Sequence, residues 1–319
     1  MSQTDGPIIN QSLSLQTPNL QLAWDSTSIG LLKSCPRLYQ YTILMNFSPR
    51  AESIHLTFGI WYHSALEHYD HYKALGMNHE MAQLRCVEWM MNATWDKKFN
   101  RPWLSEIKEK TRYTLVRTVV WYLEQFAEDP LETVILANGK PAVELSFRMG
   151  LDFLSPTGEE YLLCGHLDRV AKMGDDFWIV DKKTTKSAIG SDFFDKFSPD
   201  NQMSGYAFAG KVVYEFPIKG IIVDAAQIGV TFSRFQRGLV PRTDSQLAEW
   251  YNDLKLTIKQ AERYAEINYW PQNDRFCSMY GGCSFRQICQ KSPEMRNEWL
   301  PRLMQKRVWD PVGNTRGDI

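Results

Sequence analysis

The stretch that most constrains this chain runs from Tyr161 to Lys186, YLLCGHLDRVAKMGDDFWIVDKKTTK. It reads as two β-strands joined by a short turn. An apolar run ends in Asp168, the turn is Lys172-Met173-Gly174-Asp175-Asp176, and a second run from Phe177 to Val180 leads into Asp181-Lys182-Lys183. Side chains alternate along a strand, so Asp181 and Lys183 project from one face. Asp168, at the end of the neighbouring strand, brings a second carboxylate to the same place. Two acids and a lysine meeting at strand ends can hold a hard divalent cation beside a phosphate. A plain hairpin ending in solvated charges carries the same tripeptide, so D-x-K alone does not decide between the two.

The chain length of 319 residues fits two domains, or one large domain with insertions. A hydrophobic fraction of 44% and an aromatic fraction of 13% supply a core and argue against disorder. No apolar run approaches the roughly 18 residues of a membrane span. The N-terminal MSQTDGPIINQSLSLQT lacks the basic and apolar regions of a secretory signal. The expectation is a cytoplasmic protein with no membrane contact, whose cysteines stay reduced unless they bind metal. The net charge is −1, from 36 basic and 37 acidic residues, which excludes a chain that coats DNA through a global positive field. Any nucleic-acid contact would need a local basic groove. No Walker-type phosphate loop occurs, which argues against an ATP motor.

Residues 1–24 are polar and read as a flexible arm. Asp25-Ser26-Thr27-Ser28 offers caps for a helix through IGLLKSCPRLYQYTIL. Further helices are expected over 58–75, 78–98 and 105–128. After Pro130 the pattern changes: a strand over 141–151, the hairpin, a helix over 199–213, strand material over 218–232 and an amphipathic helix over 244–268. The segment 269–319 carries cysteines and then turns basic. No 20- to 50-residue period repeats.

On helical spacing His63 and Glu67, in FGIWYHSALEHYDHY, share a face, as do Gln202 and Tyr206 in NQMSGYAFAG. A carboxylate beside a histidine can orient it as a metal ligand. An amide and a phenol can hydrogen-bond phosphate oxygens without adding charge. Glu144, in AVELSF, is a second-tier acid, as much a surface glutamate as a site residue. His68 and His71 read as structural. Lys182, Lys186 and Lys196 surround the motif, and Lys108, Lys110, Arg112 and Arg117 stud one helix; they fit a DNA path or an ordinary solvated face equally.

GHLDRV followed thirteen residues on by the aspartate of VDKKT resembles the paired motifs of the PD-(D/E)XK nucleases, and their RecB-like branch in particular. G-x-x-x-H-x-x-L-E around His63 resembles that branch's upstream helix, which implies a metal ligand at His63. Gln202 and Tyr206 resemble the Q-x-x-x-Y that follows D-x-K, whose side chains lie near the metals and bound DNA. Cys35, in SCPRLYQY, with Cys277, Cys283 and Cys289, in FCSMYGGCSFRQIC, resembles the iron–sulfur staple of AddB-type and CRISPR-adaptation nucleases, in which four thiolates bind a [4Fe–4S] cluster. The trio departs from the usual C-x2-C-x5-C: it is C-x5-C-x5-C, with Tyr280 at the expected second position and Gly281-Gly282 able to loop out the extra residues. Zinc on the four thiolates and unligated core cysteines stay open as alternatives. Cys86 and Cys164 read as small buried hydrophobes.

Five motif blocks in order, over about residues 26–290, imply an α/β protein of restriction-endonuclease-like fold. It would have a central mixed sheet flanked by helices, a helical N-terminal part and a C-terminal cysteine-cluster cap. The expected division is an arm (1–24), a helical part with Cys35 and His63 (25–130), a nuclease core (131–268) and an iron–sulfur cap with a basic tail (269–319). The implied activity is a Mg²⁺- or Mn²⁺-dependent DNA exonuclease acting on linear single- or double-stranded DNA in recombination, repair or phage DNA processing, with a helicase or annealing protein as a possible partner. Asp168, Asp181, Lys183, Gln202 and Tyr206 would be catalytic; His63, Asp168, Asp181 and the Lys182 carbonyl would hold the metal. The alternatives are a non-catalytic DNA-end-binding subunit and a CRISPR-type adaptation nuclease.

Overall fold

The computed structural model describes residues 20–51 and 53–312. Most of the expected arm and the end of the basic tail lie outside them. In chain order the elements are β1 (Ala23–Trp24), α1 (Ser26–Ser34), α2 (Pro36–Tyr39), β2 (Phe47–Pro49), α3 (Ile54–Ala74), α4 (His79–Ala93), β3 (Trp95–Asp96), β4 (Arg101–Pro102) and α5 (Arg112–Gln125). There follow β5 (Glu132–Thr133), β6 (Val143–Leu154), β7 (Glu160–Met173), β8 (Asp176–Thr185), α6 (Ser191–Phe194), α7 (Asn201–Val213), β9 (Ile218–Ile228) and β10 (Ser233–Pro241). The last are α8 (Asp244–Glu266), α9 (Arg286–Cys289), α10 (Pro293–Leu303) and β11 (Met304–Lys306). The chain is a mixed α/β protein with a central mixed sheet flanked by helices, as expected. Among the described residues no helix is long and apolar enough to cross a membrane.

Two compact units form. Among the described residues, one falls within 52–145 and 166–247, and the other within 1–51, 146–165 and 248–319. In the first, β7 and β8 make an antiparallel hairpin whose strands close on Met173↔Asp176 across Gly174-Asp175. Gly174 takes φ 63°, which glycine adopts without steric cost, so the register of Asp168 against Asp181 starts at a residue suited to the turn. β8 pairs with β9 in parallel, and β9 with β10 antiparallel. A parallel pair needs a crossover, and α7 lies in the connection between β8 and β9. β9 is buried almost throughout and β8 from Trp178 to Lys182, which explains why their apolar stretches run on without alternating.

α3 buries Phe58, Tyr62, Ala65, Leu66 and Tyr69, at the spacing of one helix face, against Ala82, Cys86 and Met90 of α4 and Leu115, Val119 and Leu123 of α5. Gly210 lets α7 lie close on the sheet: a Cβ there would come within 2.9 Å of Ile179 and Ile218 side-chain atoms. The cysteine expectations hold at Cys86, whose thiol donates to the Ala65 carbonyl (3.0 Å), and at Cys164; burial pushes both thiols up to about 12.

Three boundaries differ from expectation for local reasons. The helix after Asn78 stops at Ala93, because Thr94 caps it and the chain turns into the β3–β4 hairpin. α5 starts at Arg112, where Thr111 and Thr114 make a capping box. The strand material after Ile218 is two strands, because the charged SRFQRGLVP forms β10 at the sheet edge.

In the second unit β1 runs parallel to the first half of β7, with Ala23↔Leu162 and Trp24↔Leu163 in register. β2 and β11 pair antiparallel, and Tyr41, Phe47, Phe285, Ile288, Leu300 and Met304 form a small core. Asp25 caps α1 in a capping box with Ser28.

Candidate active site

The hairpin, α3 and α7 bring the expected residues together. On β7, Asp168 Oδ2 accepts the Lys182 backbone N–H (3.0 Å) and lies 3.2 Å from His63 Nδ1 on α3. On β8, the Lys183 ammonium is 3.0 Å from Asp181 Oδ1 and 2.8 Å from Oδ2, confirming that the two side chains share a face. The same ammonium donates to Gln202 Oε1 at 2.7 Å, and Gln202 Nε2 donates to the Tyr206 hydroxyl at 3.0 Å along one face of α7. Arg242 anchors the segment before α7, donating to Phe197 O (2.6 Å) and Ser204 Oγ (3.1 Å). Nothing in the sequence pattern pointed to it.

The two acids differ electrostatically. Burial would raise the Asp168 carboxyl, but His63 and Lys182 outweigh it and hold the group well below the usual carboxylate range. Burial, reinforced by the charge of Asp168 and opposed by Lys183, raises Asp181. Asp181 Oδ2 is buried and makes no well-aligned hydrogen bond, its neighbour being the Lys183 ammonium at 2.8 Å. A buried carboxylate oxygen with spare acceptor capacity, beside a second acid and an imidazole, is a hard-cation donor set. These residues fit a divalent metal. Among the described residues no three His, Cys, Asp or Glu side chains are already gathered to hold an ion as the chain stands.

Lys182 is not part of a basic surface. Its side chain projects away from its two neighbours, is 3% exposed, and donates to Asp70 Oδ2 at 2.6 Å. Asp70 lies two turns beyond His63 on α3 and also faces Arg169 Nη1 (3.3 Å). Arg169 lies 3.6 Å from Asp129, which takes Arg237 in a two-pronged contact at 2.6 and 2.9 Å. Arg237 Nε and the Tyr122 hydroxyl both donate to Asp224 Oδ2, at 2.9 and 2.6 Å. Asp224, on β9, is the register partner of Lys182 on β8 and of Arg237 on β10, so charge alternates in sign across three strands. Sequence reading missed this network. Its one signal was acids inside otherwise apolar strand and helix faces, at Asp70 and Asp224.

The cations of the helical part are also mostly interior. Lys110 is buried over the Phe58 ring, and desolvation brings it down to about 8. Arg112 donates to Thr94 Oγ1 and Met91 O, and Arg117 to the Gly229, Val230 and Phe232 carbonyls. Of the four, Lys108 alone is exposed. Packing, which a helical pattern does not reveal, decides which face of a helix is solvated. His68 is buried against Trp89, ring centres 4.2 Å apart. Glu67 is buried one turn beyond His63, and Glu144 takes a left-handed φ of 49° on β6.

The sequence family described as the PD-(D/E)XK nuclease superfamily matches residues 26–290. The chain belongs to this superfamily. Among solved structures, this PD-(D/E)XK chain is similar to a crystal structure described as "Putative exonuclease" from Eubacterium rectale. The identity is 12% and the TM-score 0.47, with 81% of this chain and 86% of that one covered. It is also similar to the crystal structure of SSO0001, at 13% identity and TM-score 0.26 over 54% of this chain and 66% of that one. No curated protein matches.

The four motif cysteines of the nuclease lie in one unit. Cys35 stands between α1 and α2, and its sulfur accepts the Asn273 N–H at 3.3 Å. The Cys277 thiol faces the Asn273 carbonyl at 3.6 Å. Burial raises the thiols of Cys283 and Cys289. Cys277 and Cys35 add to the first, while Cys283 and Cys35 add to the second, against Arg37. Cys283 thus feels the sulfurs of Cys277 and Cys35, and Cys289 those of Cys283 and Cys35, while a backbone N–H is aimed at the Cys35 sulfur.

Proposed function

We propose that this chain is a RecB-like, Mg²⁺- or Mn²⁺-dependent DNA exonuclease that hydrolyses phosphodiester bonds at DNA ends in a cytoplasmic setting. The observation that carries the reading is the Lys183 ammonium bridging Asp181 and Gln202 beside Asp168 and His63. Asp168, Asp181, His63 and the Lys182 carbonyl would hold the metal. When bound, the ion supplies positive charge to the scissile phosphate and makes water more acidic. Lys183 orients the attacking hydroxide and offsets charge that develops on phosphate oxygens. Gln202 and Tyr206 hold the scissile strand by neutral hydrogen bonds. Catalysis would fall to the core, residues 131–268, with His63 supplied from the helical part.

Cys35, Cys277, Cys283 and Cys289 would bind a [4Fe–4S] cluster, with zinc as the alternative. Anaerobically purified protein is then expected to carry about four irons and four sulfides per chain, and Cys283→Ala to lose them. Zinc in place of iron would overturn the cluster assignment.

The nuclease reading is tested by digesting matched linear and covalently closed DNA with Mg²⁺ or Mn²⁺, and with EDTA as control. Metal-dependent loss of the linear form alone is expected. Cutting of both forms would make the enzyme an endonuclease. Cutting of neither would favour a DNA-end-binding subunit.

A further inference from the structure

The β3–β4 hairpin carries a surface that the catalytic centre does not use, with the rings of Trp95 (39%) and Phe99 (58%) exposed on it. Each of the two has a cation over it. Lys98 Nζ is 5.3 Å and Arg101 Cζ 4.9 Å from the Phe99 ring centre, and Arg112 Cζ is 5.8 Å from that of Trp95. Arg112 also donates to the Met91 carbonyl, which fixes its guanidinium beside Trp95. Tyr113 and Trp121, with Arg117 between them, lie on other sides of α5 from Arg112 and are not part of this surface. Asp96 accepts the Lys98 and Phe99 N–H groups and so shapes the hairpin tip.

Beside the hairpin a cleft of about 580 Å³ is lined by Trp89, Asn92, Ala93, Trp95 and Lys97. Two indoles, an amide and an ammonium make a wall on which a flat heterocycle can stack and hydrogen-bond, and the volume lies in the range of small-ligand clefts. Lys97, Lys98 and Arg101 are exposed, so this tip is locally basic in a chain of net charge −1. Interleaved rings and cations suit unpaired bases linked by phosphates; a duplex keeps its base faces stacked inside. α4 and α5, which flank the hairpin, share one core with α3, the helix of His63.

We propose that this aromatic–basic track binds single-stranded DNA and presents it to the nuclease. The assignment deepens the nuclease reading and rests on it only for the fate of the strand, since binding can be measured without cleavage. The experiment is anisotropy titration of labelled oligodeoxythymidylate, and of a blunt duplex of equal length, with the full chain in EDTA. Phe99→Ala, at an exposed site, is expected to weaken single-strand binding about ten-fold, the effect of one lost base stack. Replacing Lys97, Lys98 and Arg101 together by glutamine is expected to reduce the slope of log K against log salt by about 2, at about 0.7 per phosphate contact. Circular dichroism of both variants should match the parent. If both bind the single strand as the parent does, the site is wrong. If duplex binding falls equally, the single-strand assignment is wrong. Loss of binding in the variants with cleavage absent from the parent would sink the nuclease reading and leave this one standing.

Discussion

Replacing Lys183 with alanine is expected to abolish cleavage, lowering kcat by at least about 10²- to 10³-fold, while the urea midpoint stays close to that of the parent. The catalytic figure is that of removing one pre-positioned donor from a developing negative charge. The fold should tolerate the change because Asp181, already raised by burial and by Asp168, can take up a proton once its cation is gone. Asp181→Asn is the companion variant and should be equally inactive. Its stability in EDTA has a definite sign. An acid whose folded pKa is raised costs the fold stability as pH rises from its unfolded value through its folded one, and at higher pH the folded state carries the full cost of the unfavourable charge. The amide removes that charge, so the thermal midpoint of Asp181→Asn at neutral pH should equal or exceed the parent's. Cleavage surviving in either variant would remove the residue from the catalytic set. A lower midpoint for Asp181→Asn would mean that Lys183 more than offsets the burial of the carboxylate.

The parts of the site that were legible in the sequence are those whose geometry is local. Asp181 and Lys183 share a face because strands alternate. Gln202 and Tyr206 share one because helices repeat every 3.6 residues. The hairpin could be read because Gly174 stands where the turn requires it. What stayed hidden depends on partners far away in the chain. Lys182 and Asp70 are 112 residues apart, and Arg237 and Asp129 are 108. Reading one strand at a time, Lys182 looks like a surface cation beside a phosphate site, and only packing turns it inward. The same holds for Lys110 and Arg117, where a helix rich in cations suggests solvent or DNA and the structure gives a Phe58 ring and three carbonyls. β10 was missed because an edge strand with one wet face carries charges that a buried strand would not.

Asp70→Ala is expected to destabilise the protein by about 3–5 kcal/mol, the cost of leaving buried charge without its partner. Lys182 and Arg169, 3% and 6% exposed, would then share one vacancy in a network that admits no solvent to replace the carboxylate. Arg169 keeps Asp129 and Thr133 within reach, so Lys182 bears most of the loss. The damage should extend to catalysis. Lys182 lies between Asp181 and Lys183, its N–H fixes Asp168, and Asp70 ties this strand to the helix that carries His63. A urea titration measures the stability change, and a double-mutant cycle identifies its cause. If the orphaned ammonium is the cause, Asp70→Ala combined with Lys182→Met should be more stable than Asp70→Ala alone, because the unpaired charge is gone. Cleavage per folded molecule should nevertheless stay depressed in the double variant, since the tie between α3 and β8 is still missing. A cost within about 1 kcal/mol for Asp70→Ala would show that water or Asp129 compensates, and that the network does not set the register of the site.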